Sequence, residues 1–191
     1  MITVYFDTET GGIESSRPTI QLAAVAMDGG VELGTFEQKI SFNEADADPT
    51  ALALNHYTRQ EWVNSCAPQI AASRFAAWIR PHCTLERISK AGNPYRVAVL
   101  SAYNAPFDTP RLDAMFGTSF CPWDRRVRDV LQRVLWWFDL NKLGTPPENF
   151  KLSTVASYMD ISADGAHDAL ADARLAAKVS HWLNCEAQVG F

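Results

Sequence analysis

The sequence predicts an α/β fold, a mixed sheet covered by helices, on three observations. Apolar runs of strand length open the chain one after another; from residue 97 such runs alternate with helical segments; and a non-periodic stretch, residues 81–96, separates the two regimes. In the first run Ile2, Val4 and Phe6 alternate with Thr3, Tyr5, Asp7 and Glu9, the period of a strand. "TIQLAAVAMDGG" and "GTFEQKISF" read as two further strands joined at Gly29 and Gly30, so the chain opens as a meander. "NEADADPT" is a loop, and residues 51–79 read as helical, with Thr58 and Ala67-Pro68 as helix starts.

Residues 81–96 hold two prolines and a glycine and read as a connection. "VAVLSAY" (97–103) has the length of a buried fourth strand, followed by a helix through Phe116. Residues 125–129 leave room for a short fifth strand before the helix "VLQRVLWWF". "GTPPENF" is a loop, and helices are expected over 152–159 and about 168–184. No internal repeat or low-complexity tract interrupts this order.

A chain of 191 residues with 47% hydrophobic and 20% charged content suits one soluble domain spanning 1–191. Its 17 basic and 22 acidic residues, net charge -5, argue against coating nucleic acid through bulk positive charge, yet leave room for an enzyme that grips one strand end. Cys66, Cys83, Cys121 and Cys185 are far apart with no C-x-x-C pair, a pattern that suggests neither a zinc knuckle nor a disulfide framework and predicts buried free thiols in a reducing compartment. The N-terminus enters a strand directly and no apolar run reaches the length of a membrane helix, so a cytoplasmic protein without membrane association is expected.

Three clusters carry the chemistry. In "YFDTETG", period two puts Asp7 and Glu9 on one face, where two like charges require compensation; a divalent metal would supply it, and a solvated strand end before the Gly11-Gly12 turn is the alternative. In "YNAPFD", Asp108 stands at a strand-to-helix junction, a place also suited to an acid favoured by the helix dipole; Pro110 is expected to disturb the first turns. In "AHDALADA", Asp168 and Asp172 share a helix face, whereas His167 and Asp172 would point about 140° apart if both were helical. His167 is therefore placed in the loop, with Asp168 as N-cap and Asp172 in the first turn.

"FDTET", "NAPFD" and "HDALADA", in this order and separation, resemble the three motifs of the DEDDh branch of the 3′–5′ exonucleases, which includes the proofreading subunit of bacterial replicative polymerase, ribonuclease T and oligoribonuclease. "IQLAAVAM" and "LSTVASYMDI" are also similar to that family, and the likeness spans residues 2 to about 180. The resemblance implies a ribonuclease H-like fold, a five-stranded mixed sheet with its first three strands antiparallel. It implies that Asp7, Glu9, Asp108 and Asp172 hold two divalent ions, Mg²⁺ or Mn²⁺, and that His167 is the general base. Hard oxygen ligands suit those ions.

The implied substrate is the 3′ end of single-stranded DNA or RNA, with no protein partner specified and Thr8, Thr10, Gly12, Ile13, Asn104 and Phe107 as substrate contacts. Ile13 would wedge against the terminal base and Phe107 would support it; a turn-packing Ile and a core Phe read equally well. His56, Trp62, Trp136 and Trp137 are groove or core residues. Gly11 stands where many members have a second Thr, and Tyr103 where many have a His. A catalytically silent module that binds nucleic acid or a polymerase is the alternative function.

Overall fold

Alternation along Ile2–Thr10 lets this first strand, β1, bury both of its faces, and it becomes the middle of a five-stranded sheet in the computed structural model. The structure describes residues 1–117, 121–141, 145–163 and 168–189, with the side chains of residues 187–189 not described. β2 (Thr19–Asp28) and β3 (Val31–Lys39) complete the antiparallel meander, turning at Gly29, whose φ of 60° suits glycine. After the two helices α1 (Pro49–Leu54) and α2 (Pro68–Ile79) comes a ribbon of β4 (Leu85–Ile88) and β5 (Pro94–Val97). β6 (Val99–Ala102), α3 (Ala105–Phe116), β7 (Arg128–Asp129), α4 (Val130–Asn141), α5 (Leu152–Tyr158) and α6 (Ala169–Val189) follow. The sheet order is β3-β2-β1-β6-β7, with β6 parallel to β1 and β7 parallel to β6.

Two cores hold the layers together. Val4, Phe6, Leu22, Ala24 and Leu100 pack against Phe75 and Ile79 of α2 and Leu112 and Met115 of α3. On the other face Tyr5 and Val25 pack against Val130 and Val134 of α4, Val155 of α5 and Ala173, Ala176 and Val179 of α6. Each large aliphatic or aromatic side chain so buried contributes about 1.5–3 kcal/mol. The Tyr5 hydroxyl, which would otherwise be an unsatisfied group in that core, donates to Ser180 Oγ at 2.8 Å.

The architecture agrees with the expected mixed sheet flanked by helices, but four local expectations are corrected. Residues 81–96 contain the β4–β5 ribbon, whose alternating exposed residues include the cross-strand ion pair Arg96–Glu86 at 2.9 Å. Val97 belongs to that ribbon, so the fourth sheet strand begins at Val99. Residues 51–79 are not continuous helix: α1 stops at Leu54, His56 takes a φ of 52°, and Thr58 closes a turn by accepting from the Glu61 N–H at 3.2 Å. Pro110 lies inside α3 without ending it, since so near the start it removes only the bond to the Pro106 carbonyl.

All four cysteines are free, but Cys185 is exposed and only Cys121 is fully buried. Among the described residues no helix is long and apolar enough to cross a membrane.

Candidate active site

β1 carries Asp7 and Glu9 to one end of the sheet, opposite Ala23 and Gln21 of β2, and the register slips between Glu9 and Thr10 as the strand leaves the sheet. α6 crosses the same face, and its first turn begins there. Asp168 caps it, accepting from the N–H groups of Leu170 and Ala171 at 3.1 and 3.0 Å, as expected of an N-cap. One turn on, Asp172 meets the strand acids: one carboxylate oxygen from each of Asp7, Glu9 and Asp172 lies within 4.8 Å of the others.

Asp108 is not within that spacing of all three. In the first turn of α3 and 3% exposed, it accepts from the Thr8 N–H at 3.1 Å and the Thr8 hydroxyl at 2.6 Å, which ties α3 to β1. His167 lies outside the described residues.

The acids are costly as a group. Burial holds the Asp7 carboxyl well above the usual carboxylate range, and the charges of Asp108, Glu9 and Asp172 add to this. Glu9, 8% exposed, is pushed up to about 7 by burial and then by Asp172 and Asp108. Asp108 is raised to about 6 by burial, against the lowering effect of the Thr8 hydrogen bonds and Arg111. An all-oxygen donor set that is partly buried and mutually repelling fits a hard divalent cation such as Mg²⁺ or Mn²⁺.

The loop beyond β1 is closed by its own hydrogen bonds. Thr10, expected among the substrate contacts, is buried; its hydroxyl donates to the Gly12 carbonyl at 2.8 Å and its carbonyl accepts from Asn55 Nδ2 at 2.9 Å. Thr8 is likewise buried, its hydroxyl committed to Asp108. Gly11 is dictated locally, because an added Cβ would lie 2.7 Å from that of Ala47. Gly12 has a φ of 152°, and a Cβ there would meet Arg17 Cγ at 2.8 Å. Ile13 is 82% exposed, so it is not a turn-packing residue, and Phe107 is half-buried.

Asn104 is exposed, with a φ of 63°, and its N–H donates to Asp129 Oδ1 at 3.1 Å. Tyr103 is tied away, its hydroxyl donating to the Phe150 carbonyl at 2.7 Å. Trp62 and Trp137 are packing residues, the first buried with its indole N–H on the Ile20 carbonyl and the second against Trp182 and Phe138. Trp136 is 65% exposed and His56 is exposed.

No protein-family model and no curated protein sequence matches the chain. Solved structures do. E. coli exonuclease I in complex with a dT13 oligonucleotide superposes with a TM-score of 0.76 and 18% identity over 98% of this chain and 42% of that one. The nuclease domain of 3′hExo, a DEDDh family member, bound to rAMP gives 0.71 and 13% over 99% of this chain and 92% of that domain. The chain shares the fold of these nucleases. Cell-death related nuclease 4 shares it, with a TM-score of 0.73 and 13% identity over 64% of that chain, and the present chain spans about two fifths of E. coli exonuclease I.

Two residues around the site were not singled out by the sequence patterns. Asn55 is buried and fastens the end of β1 through Thr10. Arg111 is 9% exposed, its guanidinium 3.6 Å from the Phe107 ring centroid and donating to the carbonyls of Phe107 at 2.6 Å and Ile13 at 2.9 Å. The available signal was position: Arg111 follows Phe107 by one helical turn, on the face that carries Asp108.

The raised carboxylates predict how the metal-free protein responds to pH. Because the folded state holds their protons to higher pH than the unfolded chain does, their benefit is present below about 4.5 and is lost as pH rises through about 7. For Glu9 alone the shift corresponds to about 3 kcal/mol. Thermal melts in EDTA should therefore show lower stability at pH 8 than at pH 5, with Glu9→Gln flattening the difference and added Mn²⁺ restoring more stability at pH 8. Equal melts at both pH values would contradict this electrostatic picture.

Proposed function

We propose that the chain, taken as one domain over residues 1–191, is a metal-dependent 3′–5′ exonuclease acting on single-stranded DNA or RNA and releasing nucleoside 5′-monophosphates. The observation that carries the proposal is the convergence of Asp7, Glu9 and Asp172 within 4.8 Å at the end of the central strand of this fold. Those three residues would hold divalent metal, and the resemblance adds Asp108 to the metal-holding set. Bound Mg²⁺ or Mn²⁺ supplies the positive charge that such hydrolysis needs at the attacking water and at the departing 3′ oxygen.

The remaining tasks fall to protein groups. His167 would accept the water's proton as the water oxygen bonds to phosphorus and the P–O3′ bond breaks, a task imidazole commonly performs near neutral pH. Asp168, as N-cap, fixes the start of α6, from which Asp172 projects one turn on. The exposed Ile13 stands against the terminal base, which favours an end whose last base is already unstacked. The oligonucleotide in the E. coli exonuclease I complex and the rAMP in the 3′hExo complex support a nucleic-acid 3′ end as the ligand class.

The test is product chemistry on matched DNA and RNA strands. With Mg²⁺ or Mn²⁺, 5′-mononucleotides should accumulate, EDTA should stop the reaction, and frayed or mismatched ends should be trimmed faster than blunt duplex. Products carrying 3′-phosphates, or no metal-dependent hydrolysis of either polymer, would refute the proposal.

A further inference from the structure

The loop after β1 is tightly fastened while its tip is bare. Gly11 N–H donates to the Pro18 carbonyl at 2.8 Å, the Asp48 N–H donates to the Gly11 carbonyl at 2.6 Å, and the Thr10 hydroxyl holds Gly12. Ile13, at the tip, keeps 82% of its surface in water. An exposed β-branched apolar side chain on a fastened loop that directly continues the acid-bearing strand is placed to meet an apolar surface from outside, such as the face of a nucleobase.

One further tie on this loop comes from α3. Arg111 Nη2 donates to the Ile13 carbonyl at 2.9 Å, while Nη1 donates to the Phe107 carbonyl at 2.6 Å and the guanidinium lies over the Phe107 ring. Both bonds thus end on the main-chain oxygens of two apolar residues, one on the loop that follows the acid-bearing strand and one directly preceding Asp108, on segments far apart in sequence. The arrangement carries a cost: Arg111 is 9% exposed and its Nε is buried with no hydrogen-bond partner. A Met or Leu would fill the same space without desolvating a charge. What an apolar residue would not do is hold both carbonyls at once, and lysine, with a single ammonium, lacks the planar fork that does so.

We propose that Arg111 is a positioning residue for the substrate: it ties the Ile13 loop to Phe107 and so sets the width of an apolar slot that takes the 3′-terminal base. This rests on the exonuclease reading above. Arg111 acts through Ile13, so its effect should depend on Ile13 being present, which a purely structural staple would not require.

The experiment is steady-state kinetics with Mg²⁺ on a single-stranded oligonucleotide and its blunt duplex, for wild type, Arg111→Lys, Ile13→Ala and the double variant. Arg111→Lys keeps the charge and most of the stem; Arg111→Met is the second probe should that variant melt early. The Arg111 change should raise KM about tenfold with kcat within about threefold, lower the preference for single strand over duplex, and add less than about twofold to KM in the Ile13→Ala background. The same tenfold change in both backgrounds, or a fall in kcat with KM unmoved, would overturn the role of Arg111 while leaving the exonuclease reading intact. A wild type inert on every oligonucleotide would overturn both.

Discussion

Asp7→Asn, Glu9→Gln and Asp172→Asn are each expected to lower hydrolysis by about 10³-fold or more while making the metal-free protein more stable at pH 8. The first effect follows from removing one charged oxygen donor from the proposed metal site. The second follows from the repulsion already present: burial and neighbouring acids raise both Asp7 and Glu9, and deleting any one charge relieves the others. Opposite signs for activity and stability separate a metal clamp from a structural network, in which both would fall together. Asp108→Asn is expected to lose activity as well, although asparagine can still accept from Thr8. Asp168→Asn is the control, because asparagine caps a helix as well as aspartate does; its rate should stay within about threefold of wild type. Parallel assays of rate and of melting temperature in EDTA check all five variants, and an Asp168→Asn loss equal to that of Asp172→Asn would contradict the assignment.

His167→Ala should slow turnover by about 10²- to 10⁴-fold, the range for a missing general base, without loss of metal binding. In sequence His167 directly precedes the cap Asp168, and Asp172 stands in the first turn of α6. The wild-type rate should fall on the acid side as the imidazole takes up a proton, and that limb should be absent from the variant. Single-turnover rates from about pH 5.5 to 9 measure this. A variant with the wild-type rate and profile would show that His167 takes no part.

Why some of this could be read from sequence and some not is visible in individual residues. Asp7 and Glu9 were readable because strand periodicity alone puts them on one face. Asp168 as N-cap, with Asp172 in the first turn, followed from helix geometry, and the cap hydrogen bonds agree with it, whereas a metal role for Asp172 came from the resemblance. The tie between Asp108 and Thr8 was not readable, since neither a strand nor a helix pattern encodes which hydroxyl a carboxylate will meet across the fold. Arg111 was missed for a related reason: its acceptors are main-chain carbonyls, one of them on a distant loop, and side-chain patterns carry no information about them. The β4–β5 ribbon was missed because its strands are four residues long and largely exposed, so charge pairing rather than apolar alternation marks them. Similarly, α1 ends where the Asn55 side chain turns to the Thr10 carbonyl, a tertiary contact that overrides local helix propensity.

The most direct test of an exonuclease built on these acids is a time course on a 5′-labelled single strand with Mg²⁺. The expected result is a ladder that shortens one nucleotide at a time toward the label, with a closed circle of the same sequence untouched. Immediate release of the labelled 5′ nucleotide, or cleavage of the circle, would contradict it.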